Sequence, residues 1–227
     1  MNRLLIGISG LLFLLAIAFA YPAYMEGKAA QQNAHLALEA FDHVVLEEDQ
    51  TEIQSISEIP DDFIGSNEAQ ILDDDVVDMD TEQQQPAKAV GKPEVTYTPI
   101  AKLQVDKINL ELSVLSEWSY ALLDISVNKF GGPEPNESGN FVIIGHNYTN
   151  GAHFGRLHLL EIGDLIDLTD LSGRKVTYEV YEIIVIKPND LAQLATHQDR
   201  TLTLITCDTN NEWRIVVKSA AQKDPLA

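Results

Sequence analysis

Cysteine is almost missing from this sequence: Cys207 is the single one in 227 residues. No intramolecular disulfide can form, so the thiol is either a small buried hydrophobe or a reactive group. Cations are also scarce, with 15 Lys and Arg against 35 Asp and Glu. They form no cluster, which excludes nucleic acid as a partner, since phosphate binding needs grouped Lys and Arg. No internal repeat is evident. One apolar run is long enough to cross a bilayer, Leu4 to Met25, and it carries no charge.

That run decides the compartment. Arg3 and the terminal amine precede it, and Glu26 and a long acidic stretch follow. By the positive-inside rule residues 1–25 are a transmembrane anchor with a cytoplasmic N-terminus and an exported remainder. Ala18-Phe19-Ala20 has the small-x-small form that signal peptidase accepts, so a cleaved signal peptide is the competing reading. Both place the rest of the chain outside the cytosol, where thiols usually pair or do chemistry.

The net charge of −20 is unevenly distributed. Residues 26–86 hold 17 of the acids and one base, Lys28, so the acidity belongs mainly to a segment between anchor and domain. Ala37, Phe41, Val44 and Val45 lie at helical spacing and predict a juxtamembrane helix over Ala29 to Leu46. Past Glu47, runs such as Asp73-Asp74-Asp75 and Gln83-Gln84-Gln85-Pro86 have too little apolar content to offset ordering entropy. Residues 26–92 therefore read as a largely disordered acidic linker, with spacing as the expected role and specific binding as the alternative.

From residue 93 to residue 227 the pattern is mainly β. Short β-branched runs recur at Ile100 to Val105, Leu110 to Leu115, Phe141 to Ile144, Leu165 to Leu168, Val176 to Ile186, Thr201 to Thr206 and Trp213 to Lys218. Turn signals such as Gly131-Gly132-Pro133 and Ser172-Gly173 separate them. Seven or eight short strands predict one barrel or sandwich. Short helices are expected near Ser119 to Ile125, Phe154 to Leu160 and Asn189 to Leu194.

Cys207 closes the run Thr201 to Thr206, and the five-residue polar turn Asp208 to Glu212 leads to the next strand with Arg214 near its start, so a hairpin brings the two together. A guanidinium beside a thiol favours thiolate and donates hydrogen bonds to a carbonyl oxygen. A cysteine nucleophile also needs an acid–base partner. Of six histidines, His35 and His43 lie in the linker, and His153, His158 and His197 lie in polar or helical settings. His146 alone ends an apolar run, Phe141-Val142-Ile143-Ile144-Gly145. Taken singly, each has a bland reading: a buried small residue for Cys207, a structural imidazole for His146, a surface charge for Arg214.

Together, "TLITC" at 203–207, Arg214 in "WRIVV", "NFVIIGHNY" at 140–148 and "HFGRLHLLEIGD" at 153–164 resemble the sortase family, the membrane-anchored cysteine transpeptidases of Gram-positive bacteria. The resemblance covers about Thr98 to Ala220. It implies an eight-stranded sortase-type β-barrel with short helices, Cys207 as nucleophile, His146 as general acid–base and Arg214 as stabiliser of substrate and oxyanion, with no cofactor and no metal. It implies cleavage of a C-terminal LPxTG-like sorting motif on exported proteins through a thioacyl-enzyme. The acceptor is then an amine of a cell-wall precursor or of a pilin-type subunit. The enzyme is expected at the cell membrane, single-pass, with its catalytic domain extracytoplasmic. The absence of an aromatic lid motif and the short Val185 to Thr201 connection point to a class B-like or class D-like enzyme. The alternative from another class is a catalytically silent β-barrel that binds wall or peptide ligands.

Overall fold

The computed structural model describes residues 2–57, 87–88, 95–194, 199–208 and 210–222, with side chains of the N-terminal helix described for residues 18 and 20–46. After a two-stranded pairing of Ala87–Lys88 with Thr96–Tyr97, alternation of apolar and polar residues builds the first strand of the main sheet, β1 (Pro99–Val105). Pro99, Ala101, Leu103 and Val105 turn inward and the residues between them are half-exposed. It is followed by β2 (Leu110–Leu115), β3 (Val127–Gly131), β4 (Gly139–Ile144), β5 (Leu165–Asp170), β6 (Lys175–Ile186), β7 (Arg200–Cys207) and β8 (Arg214–Ala221). The order β8-β6-β5-β1-β2-β3-β4-β7 closes on itself into a barrel. Closure leaves no open edge for another chain to extend.

Two pairings are parallel, β2 with β3 and β4 with β7; the others are antiparallel. The interior is filled by residues such as Leu103, Phe141, Ile143, Leu168, Tyr178, Leu202 and Leu204, all essentially inaccessible to solvent. The expected short helices appear as α2 (Tyr120–Leu123) and 3₁₀ turns at Leu157–Leu159 and Leu191–Leu194. β3 was not among the runs expected from sequence. Its Asn128-Lys129 pair and the Gly131-Gly132-Pro133 run that begins at its last residue carry turn chemistry, and its strand character comes from pairing with β2 and β4.

The N-terminal helix α1 (Asn2–Ser57) changes the expected picture of residues 26–92. The helix anticipated over 29–46 exists within it, and one of its faces packs on the barrel. Ala30, Ala34, Ala37 and Phe41 recur along one face and are buried against the barrel. Ala34 joins the core with Leu110 and Leu112, and Ala37 packs with Tyr97, Leu115 and Ile125. The small residues let the helix approach closely. Gly27 is tighter still, since a Cβ there would meet the Asn150 side chain at 2.3 Å. Asp42 closes the contact with an ion pair to Lys102 at 2.8 Å, while Lys102 also lies over the Phe41 ring. The acidic tract from residue 58 to residue 86 lies outside the described residues. So do the side chains of most of the apolar run on which the transmembrane expectation rests. Among the described residues no helix is long and apolar enough to cross a membrane.

Candidate active site

Strand parity places the site. In β7, Leu202 and Leu204 enter the barrel core, so Thr203, Ile205 and Cys207 share the opposite face. In β4, Phe141 and Ile143 enter the core, while Val142 belongs to an outer cluster with Ile205, Ile186 and Val216. Continuing that alternation, Ile144 and His146 lie on the outer face. In β8 the same count groups Arg214 with Val216. Strands β7 and β8 and the segment that continues β4 therefore direct Cys207, Arg214 and His146 to one outer surface of the barrel.

Register then sets them on one level. Arg214 is the direct partner of Cys207 in the β7–β8 ladder. Ile144 is the partner of Ile205 in the parallel β4–β7 ladder, and His146 and Cys207 are each two residues further along. The ladder reaches the histidine through Gly145, whose N–H donates to Ile205 O at 3.0 Å. Gly145 has no room for a side chain, because a Cβ would stand 2.7 Å from both Phe154 and Val127. Thr206 Oγ1 donates to Gly145 O at 2.8 Å, and Asn147 Nδ2 donates to Cys207 O at 2.8 Å. The end of β7 and the histidine loop are thus stitched together on both sides of the thiol.

His146, Cys207 and Arg214 line one cavity of about 210 Å³ whose remaining walls are largely apolar, among them Trp118, Phe130, Ile186 and Leu194. Trp118 packs against Phe130 at 5.6 Å between ring centroids and edge-on to Tyr120 at 6.1 Å. This aromatic group was not singled out in the sequence. Cys207 and Arg214 are partly exposed, as reagents approaching from solvent require. Arg214 Nη1 donates to Trp213 O at 3.0 Å and to Asn211 O at 3.4 Å, so the guanidinium is anchored to its own turn at the rim.

His146 Nε2 lies 3.6 Å from Asp124 Oδ1, and the same oxygen accepts from Tyr148 Oη at 3.4 Å. Burial and the neighbouring Asp124 and Glu26 charges push the Tyr148 hydroxyl far above its ordinary range, so it stays a protonated donor. The Tyr148 ring meets His146 edge-on on one side and His153 on the other. His153 is buried. Loss of solvation and the nearby His146 lower its imidazole from 6.5 to about 4, so it is neutral near pH 7. His158 lies in the 3₁₀ turn and does not line this cavity; His197 lies outside the described residues. Sequence reasoning missed Asp124 and Tyr148, because a carboxylate at a helix end and a tyrosine two positions after a histidine carry no pattern of their own. No group of acidic, His and Cys side chains able to hold a metal occurs among the described residues.

Comparison with known proteins agrees with this architecture. A family model described as a sortase domain matches residues 103–222. A Clostridium perfringens sortase D5 transpeptidase structure is 29% identical, with a TM-score of 0.51, over 55% of this chain and 79% of that one. Sortase A from Corynebacterium diphtheriae, as a lid mutant, is 26% identical, with a TM-score of 0.52, over 58% and 75%. Sortase C-1 from Actinomyces oris is 25% identical, with a TM-score of 0.52, over 56% and 74%. No curated protein matches the chain. With the family model spanning every strand of the barrel after the start of β1, this chain belongs to the sortase family, a family of transpeptidases.

Proposed function

We propose that this protein is a cysteine transpeptidase that cleaves an LPxTG-like C-terminal sorting motif and joins the released carboxyl end to an amine. Cys207 sulfur attacks the scissile carbonyl, forming the S–C bond while Arg214 and backbone N–H groups stabilise the oxyanion. As the C–N bond breaks, the His146 imidazolium gives its proton to the departing amine and a thioester remains on Cys207. A second amine, from a cell-wall precursor or a pilin-type subunit, attacks that thioester and yields its proton to His146. The new amide forms and the thiolate is released, so no nucleotide, cofactor or metal enters the balance. The substrates are exported proteins with sorting signals. The enzyme acts outside the cytosol at the cell membrane, held there by its N-terminal helix.

The observation that supports this reading is the registration of Cys207 between Arg214 on one side and the level of His146 on the other, all bordering one apolar cavity. The test is incubation of the full-length protein with a panel of sorting peptides and an amine. Mass spectrometry should find a thioacyl adduct on Cys207 and an amide product, both absent from Cys207→Ala. Turnover by Cys207→Ala would refute the mechanism. Peptide binding without adduct or product would make the domain a silent binding module.

A further inference from the structure

The carboxylate beside His146 is held by two helices. Asp124 closes α2, which is capped at its start by Ser119 Oγ accepting from Leu122 N at 3.1 Å. Its own N–H donates to Tyr120 O at 3.3 Å, and its carbonyl accepts from Asn33 Nδ2 of α1 at 3.3 Å. Asn33 is buried, one position from the core residue Ala34. Docking of α1 therefore fixes the backbone that carries the carboxylate, and Tyr148 shares its Oδ1 with His146.

We infer that Asp124 is a positioning residue for His146, with Asn33 on α1 and Tyr148 holding it in place. A carboxylate 3.6 Å from Nε2 is at ion-pair range, so it favours a proton on that nitrogen and biases the ring toward the orientation that turns Nε2 to Asp124. It also favours the imidazolium, the form that must protonate the leaving amine. The phenol of Tyr148 spends part of the same oxygen's charge and so moderates that effect. The groups surrounding the histidine ring from the packed elements are Asp124 at the end of α2, Tyr148 and His153 of its own loop, Glu26 of α1 acting near Tyr148, and Cys207 and Arg214 at the cavity. Of these, the Asp124 carboxylate lies 3.6 Å from the ring at Nε2.

The catalytic consequence rests on the transpeptidase reading above; the positioning itself is tested without turnover. In full-length Cys207→Ala, which removes thiol coupling, histidines labelled with ¹³C at Cε1 are titrated by NMR, and His146 is assigned from His146→Gln. Asp124→Asn should move the His146 midpoint to lower pH by about one unit, the low end for loss of an opposite charge at a partly exposed site. Tyr148→Phe keeps the ring and removes the donor, so it should move the midpoint the other way. An unmoved midpoint in folded Asp124→Asn overturns the inference, and if that variant does not fold, an unmoved or lowered midpoint in Tyr148→Phe does so. With active enzyme, Asp124→Asn should lower kcat about tenfold with KM within about twofold, and shift the histidine limb of the kcat/KM profile in the NMR direction. Unchanged kinetics in an active parent removes the catalytic role, whereas a parent that turns over no peptide counts against the proposed function and leaves the titration to decide the positioning.

Discussion

Cys207 and Arg214 face each other as direct ladder partners, yet the guanidinium donates to the carbonyls of its own turn, Trp213 O and Asn211 O. The ladder sets how close the two backbones come; the turn sets where the guanidinium points. Both are local consequences of the six-residue connection from Asp208 to Trp213, in which Asp208 Oδ1 accepts from Trp213 N at 3.2 Å. In the mechanism proposed above, Arg214 at the rim meets the carbonyl oxygen that arrives with substrate.

Replacing Arg214 by Lys keeps the charge and removes the planar fork that can hold the turn and a substrate oxygen together. The expected result is a fall in kcat/KM of about a hundredfold, comparable to losing one oxyanion donor. Steady-state kinetics on a cleavable sorting peptide measures it, and near-normal kinetics would reduce Arg214 to a surface charge.

His146→Ala separates nucleophile from acid. Alkylation of Cys207 by a small thiol reagent should persist at an altered rate, while transpeptidation falls by roughly a hundredfold to ten-thousandfold. Normal turnover, with loss instead on replacing His153, His158 or His197, would move the acid–base role to that residue.

The docked helix makes truncation a test of its packing. A chain lacking residues 1–92 loses the cover that Ala34 supplies to Leu112 and Ala37 to Leu115 and Ile125, along with the Phe41–Lys102 contact and the Asn33 bond to Asp124. A single change, Ala37→Glu, drives a charge into the same contact with Tyr97 and Leu115. Both should lower Tm and speed hydrogen exchange in β2, whereas a chain beginning at Gly27 should behave as the parent does. Identical exchange in the parent and Ala37→Glu would mean that α1 does not dock in solution.

His153 predicts acid lability. Its folded pKa is about 4, against 6.5 for an exposed imidazole, chiefly because burial removes solvent; the carbonyls of Ala30 and Ile125 oppose this without giving either ring nitrogen a well-formed hydrogen bond. Below about pH 6.5 the unfolded chain binds a proton that the folded one refuses, so stability is fully present above that pH and declines as pH falls toward 4. The span is worth roughly 3 kcal/mol. Urea unfolding at several pH values reads it. His153→Asn, which suits the left-handed φ of 47° there, should flatten the dependence; an equally steep slope in that variant would assign the lability elsewhere.

The sequence by itself determined the β class, the strand runs that alternate in period two, and the chemistry available at Cys207, His146 and Arg214, because these depend on local composition and on the ends of apolar runs. Their meeting on one face was readable in part, since a short hairpin forces Arg214 beside Cys207. The parallel pairing of β4 with β7, which brings His146 to the same level, joins segments about sixty residues apart and is decided by closure of the whole barrel. Three further features are tertiary for the same reason. β3 is a strand because its neighbours supply its hydrogen bonds; α1 is seated because four small or aromatic residues match a surface built from distant strands; and Asp124 stands beside His146 because two helices and a loop converge there. Such matches depend on spatial complementarity between segments remote in the chain, which residue spacing along any one of them does not encode.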